Sequence, residues 1–369
     1  MAWAYLYIVF SISGIFNMAN GRPLESNTEK NGSSYVSALY VMGDSSVDCG
    51  ENSLFYPLLH PKLSLLPCNG SDSTLLPNLL AEKMGLPNSQ PFYARNGSVD
   101  KAIQVGLNYG SAEATIMNLN RQIHQSLDQQ LRQALETFQL LRLQLREEDA
   151  QNFLSSSIFY LSFGKNDYIN LFLGNSSGVQ FKYTGQQFAS ILVNQMAQAI
   201  RTLYDSNIRK IICMGILPLG CAPRVAWEWQ NSTVLRDANG CIEEIHELVL
   251  DYNSMLEETI VQLNTILPKA HIIFCDVHQG MTQIISNRGN YGFKDTRTAC
   301  CGLGLYGATV GCLSVEMACN QSSSHVWWDL YNPTQALNSY LAESSWSGLT
   351  LPSICRPLMV QELVDVNDV

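Results

Sequence analysis

Three short fragments carry residue types that could act on an ester or a related carbonyl. Ser45 follows Gly43-Asp44 where an apolar run meets a loop. A serine there can attack as a nucleophile if a base removes its proton and donors hold the resulting oxyanion. Taken alone, Gly-Asp-Ser is a weak signal, because a turn in which the serine caps a helix explains it as well. Gly164-Lys165-Asn166-Asp167 ends another apolar run, and the Asn166 carboxamide could donate to the same oxyanion. The third fragment, Trp328-Asp329-Leu330-Tyr331-Asn332-Pro333-Thr334, stands directly before the last predicted helix.

The elements around these fragments alternate. Short β-rich apolar runs separate long amphipathic stretches, the pattern of an α/β chain whose parallel sheet is covered on both faces. Strands are predicted over 37–44, 107–111, 157–163, 210–217 and 271–277. Helices are predicted over 76–86, 118–146, 186–204, 241–267 and 334–343. Ile123, Leu127, Leu131, Leu135 and Phe138 form one helical stripe, and Ile242, Ile245, Val249, Tyr252, Leu256, Ile260 and Leu263 form another. Ligands of open parallel sheets bind at the carboxyl ends of the strands. The turns that matter are therefore Gly43-Asp44-Ser45, Gly110-Ser111, Gly164–Asp167, Pro218-Leu219-Gly220 and the position of His278.

Composition removes several function classes. Of 369 residues, 46% are apolar and 15% charged, enough to bury a large core. A net charge of −10 without a Lys/Arg run argues against nucleic acid and against an anionic membrane surface as partners. No stretch after the amino terminus reaches the eighteen uninterrupted apolar residues of a spanning helix, so no integral membrane span is expected in the mature chain. With no internal repeat and no Pro/Ser linker, residues 37–345 are expected as a single domain, followed by a C-terminal tail over 346–369.

The compartment is read from three features. Residues 1–21 are almost uncharged and apolar, with small residues near Ala19-Asn20-Gly21, as in a secretory signal peptide. Six glycosylation sequons occur, at Asn31, Asn69, Asn96, Asn175, Asn231 and Asn320. Eleven cysteines are present, and Cys300, Cys301, Cys312 and Cys319 crowd a Gly- and Ser-rich loop over 298–325. Their spacing does not suit zinc, whereas disulfides closing surface loops suit an oxidising compartment. Neither a metal nor a cofactor is expected, and the chain reads as secreted and extracellular. An odd cysteine count leaves at least one thiol free or paired outside the chain, and Cys275, inside an apolar run, is a candidate buried thiol.

Together the fragments resemble the plant GDSL esterase/lipase family, a branch of the SGNH hydrolases. The resemblance rests on VMGDSSVDCGENS (41–53), GLNYGSAEATI (106–116), SFGKNDYI (162–169), ILPLGCAPR (216–224) and WWDLYNPTQA (327–336), with NGCIEEIHELVLDYN (239–253) and ACCG (299–302). It implies a three-layer α/β/α, flavodoxin-like SGNH fold with a five-stranded parallel sheet, and hydrolysis of acyl or acetyl esters through an acyl-enzyme. It also implies Ser45 as the nucleophile and as a backbone oxyanion donor, Asn166 as a side-chain donor, Asp329 as the carboxylate that orients the base, and a Cys221–Cys241 bridge. The expected ligand is a small-molecule, lipid or polysaccharide ester.

Two positions depart from that pattern. The histidine expected three residues after the aspartate is Asn332, and a carboxamide cannot accept a proton at neutral pH. Loss of the histidine from a serine-hydrolase triad costs about a million-fold in turnover, roughly 8 kcal/mol of barrier. A small-residue run expected to supply a glycine oxyanion donor reads Gly110-Ser111-Ala112-Glu113-Ala114-Thr115, leaving Ala112 or Glu113 in that place. Gly50-Glu51-Asn52 likewise stands where Gly-Asn-Asn is expected. His325 and His278 are candidate replacement bases, whereas His60, His124, His246 and His271 fall on ordinary positions. The sequence therefore leaves three readings: a secreted ester hydrolase with strongly reduced activity, a non-catalytic protein binding an acylated ligand, and a scaffold glycoprotein.

Overall fold

Apolar runs of five residues form the centre of the molecule: β1 (Leu39–Gly43), β4 (Ile158–Ser162) and β5 (Lys210–Met214) are buried at every position. A strand buried on both faces shows a continuous apolar run instead of alternation, as these do. The computed structural model describes residues 36–48, 74–93, 103–118, 125–174, 177–349 and 352–366. The segment expected as a signal peptide, the sequons at Asn31, Asn69, Asn96 and Asn175, the Gly50-Glu51-Asn52 run, and His60 and His124 lie outside these residues.

β1 pairs in parallel with β4 (Leu39 opposite Ile158) and with β3 (Leu107–Asn108). β5 pairs in parallel with β4 and with β6 (His271–Cys275). The sheet has seven strands in the order β2-β3-β1-β4-β5-β6-β9, two more than the resemblance implied. The additions are two-residue edge strands: β2 (Gln90–Pro91), parallel to β3, and β9 (Cys355–Arg356), antiparallel to β6. Two residues carry no readable period, and Pro91 suits an edge because proline has no N–H to donate.

Helices fill the connections, among them α1 (Leu76–Lys83), α2 (Leu127–Gln144), α3 (Glu147–Ser156), α4 (Gly185–Asp205) and α5 (Glu243–Ile266). α2 begins nine residues later than the 118 expected, because Ser126 and Gln129 form a capping box that sets the amino end there. Thr184 and Gln187 do the same for α4. The apolar stripes bury Phe138 and Leu141 of α2, Phe188, Leu192, Met196 and Ile200 of α4, and Ile245, Val249, Leu256 and Ile260 of α5 in one core with the sheet. After β6 the chain turns into α6 (Val277–Ser286) instead of continuing as strand to 277, since the Asp276 carboxylate accepts from Gln279 N and caps the helix.

Two regions expected as loop and tail are structured. At the two ends of the cysteine-rich loop, β7 (Asp295–Ala299) and β8 (His325–Trp327) form a small parallel sheet, and the loop between them is cross-linked by Cys300–Cys319 and Cys301–Cys312. α7 (Gln335–Trp346) follows, capped by Thr334. At the carboxyl end, β9 leads into α8 (Val360–Asp365), whose Val360 and Leu363 are buried in the main core. Two polar ties and one covalent bridge hold this segment. The Arg356 guanidinium pairs with Glu257 and Asp276, Lys210 Nζ donates to Val364 O at 3.0 Å, and Cys355 bridges Cys275. Cys275 is thus not a free thiol. Among the described residues the free thiol is Cys213, buried in β5, and burial pushes its pKa well up.

Candidate functional site

The carboxyl edge of the sheet gathers the chemistry-bearing fragments. β1 ends at Gly43, where a Cβ would lie 2.4 Å from Ser162 O, so only glycine fits against β4. Gln130 on α2 clamps this end from the other side, donating to Gly43 O at 2.8 Å and accepting from Gly43 N at 2.9 Å. The turn that follows is built on Asp44, fully buried, whose carboxylate accepts from Ser46 N and from Asn166 N. That turn presents Ser45, half-buried, towards β4's own exit.

There, Gly164 at φ +107° turns the chain out of the strand. Asn166 is buried, and its Oδ1 accepts from Ser45 Oγ at 2.9 Å. Its Nδ2 has no hydrogen-bond partner. An orphaned buried donor costs about 1–3 kcal/mol, and one placed beside a candidate nucleophile is the arrangement an incoming oxyanion would satisfy. Asp167, also fully buried, ties the block to the loop after β3 by accepting from Ile116 N (2.8 Å) and Met117 N (2.9 Å). Burial pushes its carboxyl up to about 8, against these two amides, which favour the charged form.

The third fragment folds over its own aspartate. Asp329 Oδ1 accepts from the amides of Tyr331 and Asn332, while Oδ2 accepts from Asn332 Nδ2 at 2.9 Å. The other end of that carboxamide, Oδ1, accepts from Lys165 Nζ at 2.6 Å. Asn332 is thereby held at both ends. Lys165 is 2% exposed, and burial lowers its pKa while Asp44 and Asp329 oppose that shift. Nothing in the sequence pattern singled out Lys165, which lies 167 positions from its partner.

Ser45, Lys165, Asp329 and Asn332 line a cavity of about 160 Å³. Its other walls are mostly apolar, including Leu75, Leu76, Phe163, Leu217, Met281 and Trp328. Cys312 also reaches it, so the Cys301–Cys312 bridge braces one wall. The arrangement offers an attacking hydroxyl, an idle amide donor and an apolar slot for an acyl group.

Other expected residues are placed differently. The Ala112 amide, expected as an oxyanion donor, donates instead to Asp48 Oδ2 at 2.8 Å. Glu113 is exposed and adopts φ +59°, a left-handed conformation that glycine takes more readily. Neither candidate replacement histidine lines the cavity. His278 Nε2 lies 2.8 Å from His246 Nδ1, and burial, then the neighbouring His246, pushes the pKa of His278 down to about 4. His325 packs against Gln321, Ser324 and the Cys319 sulfur. Cys221 and Cys241 are bridged, as the resemblance implied. Two Cys/His groupings, Cys221-Cys241-His246 and Cys300-Cys319-His325, have the proximity of metal ligands, but their sulfurs are joined in disulfides and offer no thiolate. Asn231 and Asn320, the two sequons within the described residues, are exposed. Among the described residues no helix is long and apolar enough to cross a membrane.

Comparison with known proteins follows the same blocks. The family of GDSL-like lipases and acylhydrolases matches over residues 39–345. One GDSL esterase/lipase of Arabidopsis thaliana is 30% identical over 347 residues, covering 90% of each chain. GDSL esterase/lipase 7 of the same plant is 29% identical over 346 residues, covering 88% of this chain and 91% of its own.

Proposed function

The chain belongs to the GDSL-like lipase/acylhydrolase family, and from that premise we propose that it hydrolyses carboxylic esters through an acyl-enzyme on Ser45. The observation that carries this reading is the Ser45–Asn166 pair, a hydroxyl bonded to Oδ1 of a buried carboxamide whose Nδ2 is unpartnered. Ser45 attacks the ester carbonyl, Asn166 Nδ2 donates to the oxyanion, and the acyl group occupies the apolar cavity. Turnover is set below that of an enzyme with imidazole at position 332, because the amide there cannot take the serine proton.

One observation favours a second reading, binding without cleavage. Asn332 bonds to Asp329 on one side and Lys165 on the other, so both ends of the carboxamide that lines the cavity with Ser45 are already engaged. Replacing Asn332→His and assaying a short-chain aryl ester separates the two. A rise of orders of magnitude, with fluorophosphonate labelling of Ser45, supports the hydrolase. A folded variant with no turnover and no labelling refutes it. The four disulfides within the described residues and the exposed Asn231 and Asn320 support a secreted, glycosylated protein. Mass spectrometry of the protein from a eukaryotic secretion host, before and after deglycosylation, checks that assignment.

A further inference from the structure

We infer that Lys165 is the general base of this site, with Asn332 as the carboxamide that positions it, so that two side chains stand where one imidazole is expected. The inference rests on the hydrolase reading above. An imidazole oriented by a carboxylate offers an N–H to that carboxylate and an opposite ring nitrogen to the serine. Here the carboxamide reproduces the first half, donating Nδ2–H to Asp329 Oδ2 at 2.9 Å. Its opposite end, unable to accept a proton, instead accepts a hydrogen bond from Lys165 Nζ at 2.6 Å. Nζ therefore sits one hydrogen bond beyond the carboxamide, and Lys165 and Ser45 line the same cavity.

The amine can do the work only when neutral. One N–H then stays on Asn332 Oδ1 and the lone pair faces a proton donor. Burial acts in this direction, since Lys165 is 2% exposed and an ammonium there loses its hydration. Asp44 and Asp329 act against it, and Tyr160, the other titratable cavity residue, is held as the uncharged phenol by burial. The net direction is a lysine pKa below its ordinary value.

The step balances without any group other than ester and water. As Ser45 Oγ bonds to the carbonyl carbon, its proton passes to Nζ and the carbonyl π pair moves onto oxygen beside Asn166 Nδ2. Collapse of the oxyanion expels the alkoxide, which leaves as the alcohol by taking the proton from Nζ. Water then attacks the acyl-enzyme, gives its proton to Nζ, and that proton returns to Ser45 Oγ as the acid departs.

The test uses the full chain and a short-chain aryl ester, with kcat/KM followed from acid to alkaline pH and folding checked by thermal melting. Four proteins are compared: wild type, Lys165→Met, Lys165→Arg and Lys165→Met/Asn332→His. The expected result is a wild-type rate that rises with pH, a loss of about 10³-fold or more in both single variants, and recovery in the double variant. The recovered rate should rise near the imidazole pKa of about 6.5, acid of the wild-type limb. A purely structural lysine would move the melting temperature without moving the limb. Wild-type kcat/KM retained in Lys165→Met, or a wild-type rate independent of pH, overturns the inference and leaves the hydrolase reading intact. So does an inactive wild type beside an active Asn332→His variant. If all four proteins, and the Asn332→His variant assayed beside them, are folded yet inactive and unlabelled by fluorophosphonate, the hydrolase reading itself has failed.

Discussion

Replacing Asn166→Ala separates a catalytic donor from an architectural one. The Asn166 side chain makes one hydrogen bond, accepting from Ser45 Oγ at 2.9 Å, and leaves Nδ2 buried without a partner. Truncation removes one net hydrogen bond, about 0.5–1.5 kcal/mol. It also removes an unsatisfied donor whose burial costs about 1–3 kcal/mol. These terms oppose each other, so the fold should lose little stability, and the small cavity left behind works against any gain. Activity should respond very differently. Loss of a single oxyanion donor costs about 10²–10³ in kcat, or about 2.7–4 kcal/mol. The assay pairs thermal melting with aryl-ester hydrolysis, run in the wild-type and the Asn332→His backgrounds so that a measurable rate is available. A melting temperature near the parent's with kcat reduced about 10²-fold is expected. A variant that melts far below its parent yet keeps the parent's kcat would refute the assignment of Nδ2 as a waiting oxyanion donor.

Further predictions concern stability. His278 has a folded pKa of about 4 because burial, then the adjacent His246, disfavours its charged form. The unfolded chain takes up that proton near pH 6.5, so stability present above about 6.5 is lost as the pH falls to 4, by about 3 kcal/mol in full. His278→Gln should flatten this part of a denaturation-versus-pH curve, and an unchanged slope would count against the buried pair. Cys275 and Cys355 are 80 positions apart and Cys301 and Cys312 only 11. On the chain-entropy account, removing the first bridge costs about 4.5 kcal/mol and the second about 2.8; urea midpoints of the paired Cys→Ser variants should keep that order. Glu113→Gly should relieve left-handed strain of about 1–2 kcal/mol, partly offset by glycine's larger unfolded entropy. A higher melting temperature is expected, and a lower one would show that the glutamate's contacts outweigh its backbone cost.

What could be read from the chain before its structure was local. Ser45, Asn166 and Asp329 each sit in a short run whose neighbours mark a strand end or a helix start, and periodicity located those ends within a few residues. What escaped depends on contacts between distant segments. The Asp48 carboxylate claims the Ala112 amide across 64 positions, and no spacing rule reports that capture. Lys165 looked like an ordinary turn residue because its meaning comes from Asn332, reached only when the β4 and β8 ends converge. Cys275 read as a lone apolar thiol because its partner belongs to a two-residue strand too short to register as one. The placement of the candidate replacement histidines was illegible for a similar reason. His278 does not stand in a loop after the strand but is buried in α6, which turns it towards His246 and not into the cavity.

The antiparallel strand at the carboxyl end has a consequence for biosynthesis. A nascent chain emerges in sequence order, so β6 is made, and can pair with β5, well before its outer partner β9 has been synthesised. Throughout that interval an apolar strand presents a row of unpaired amides and carbonyls, a template for another nascent chain. Completion of the native sheet, and the oxidation that links Cys275 to Cys355, must therefore wait until translation has passed residue 356. Prematurely terminated products would carry that raw edge permanently, and quality control would meet them as sticky intermediates instead of as shortened enzymes.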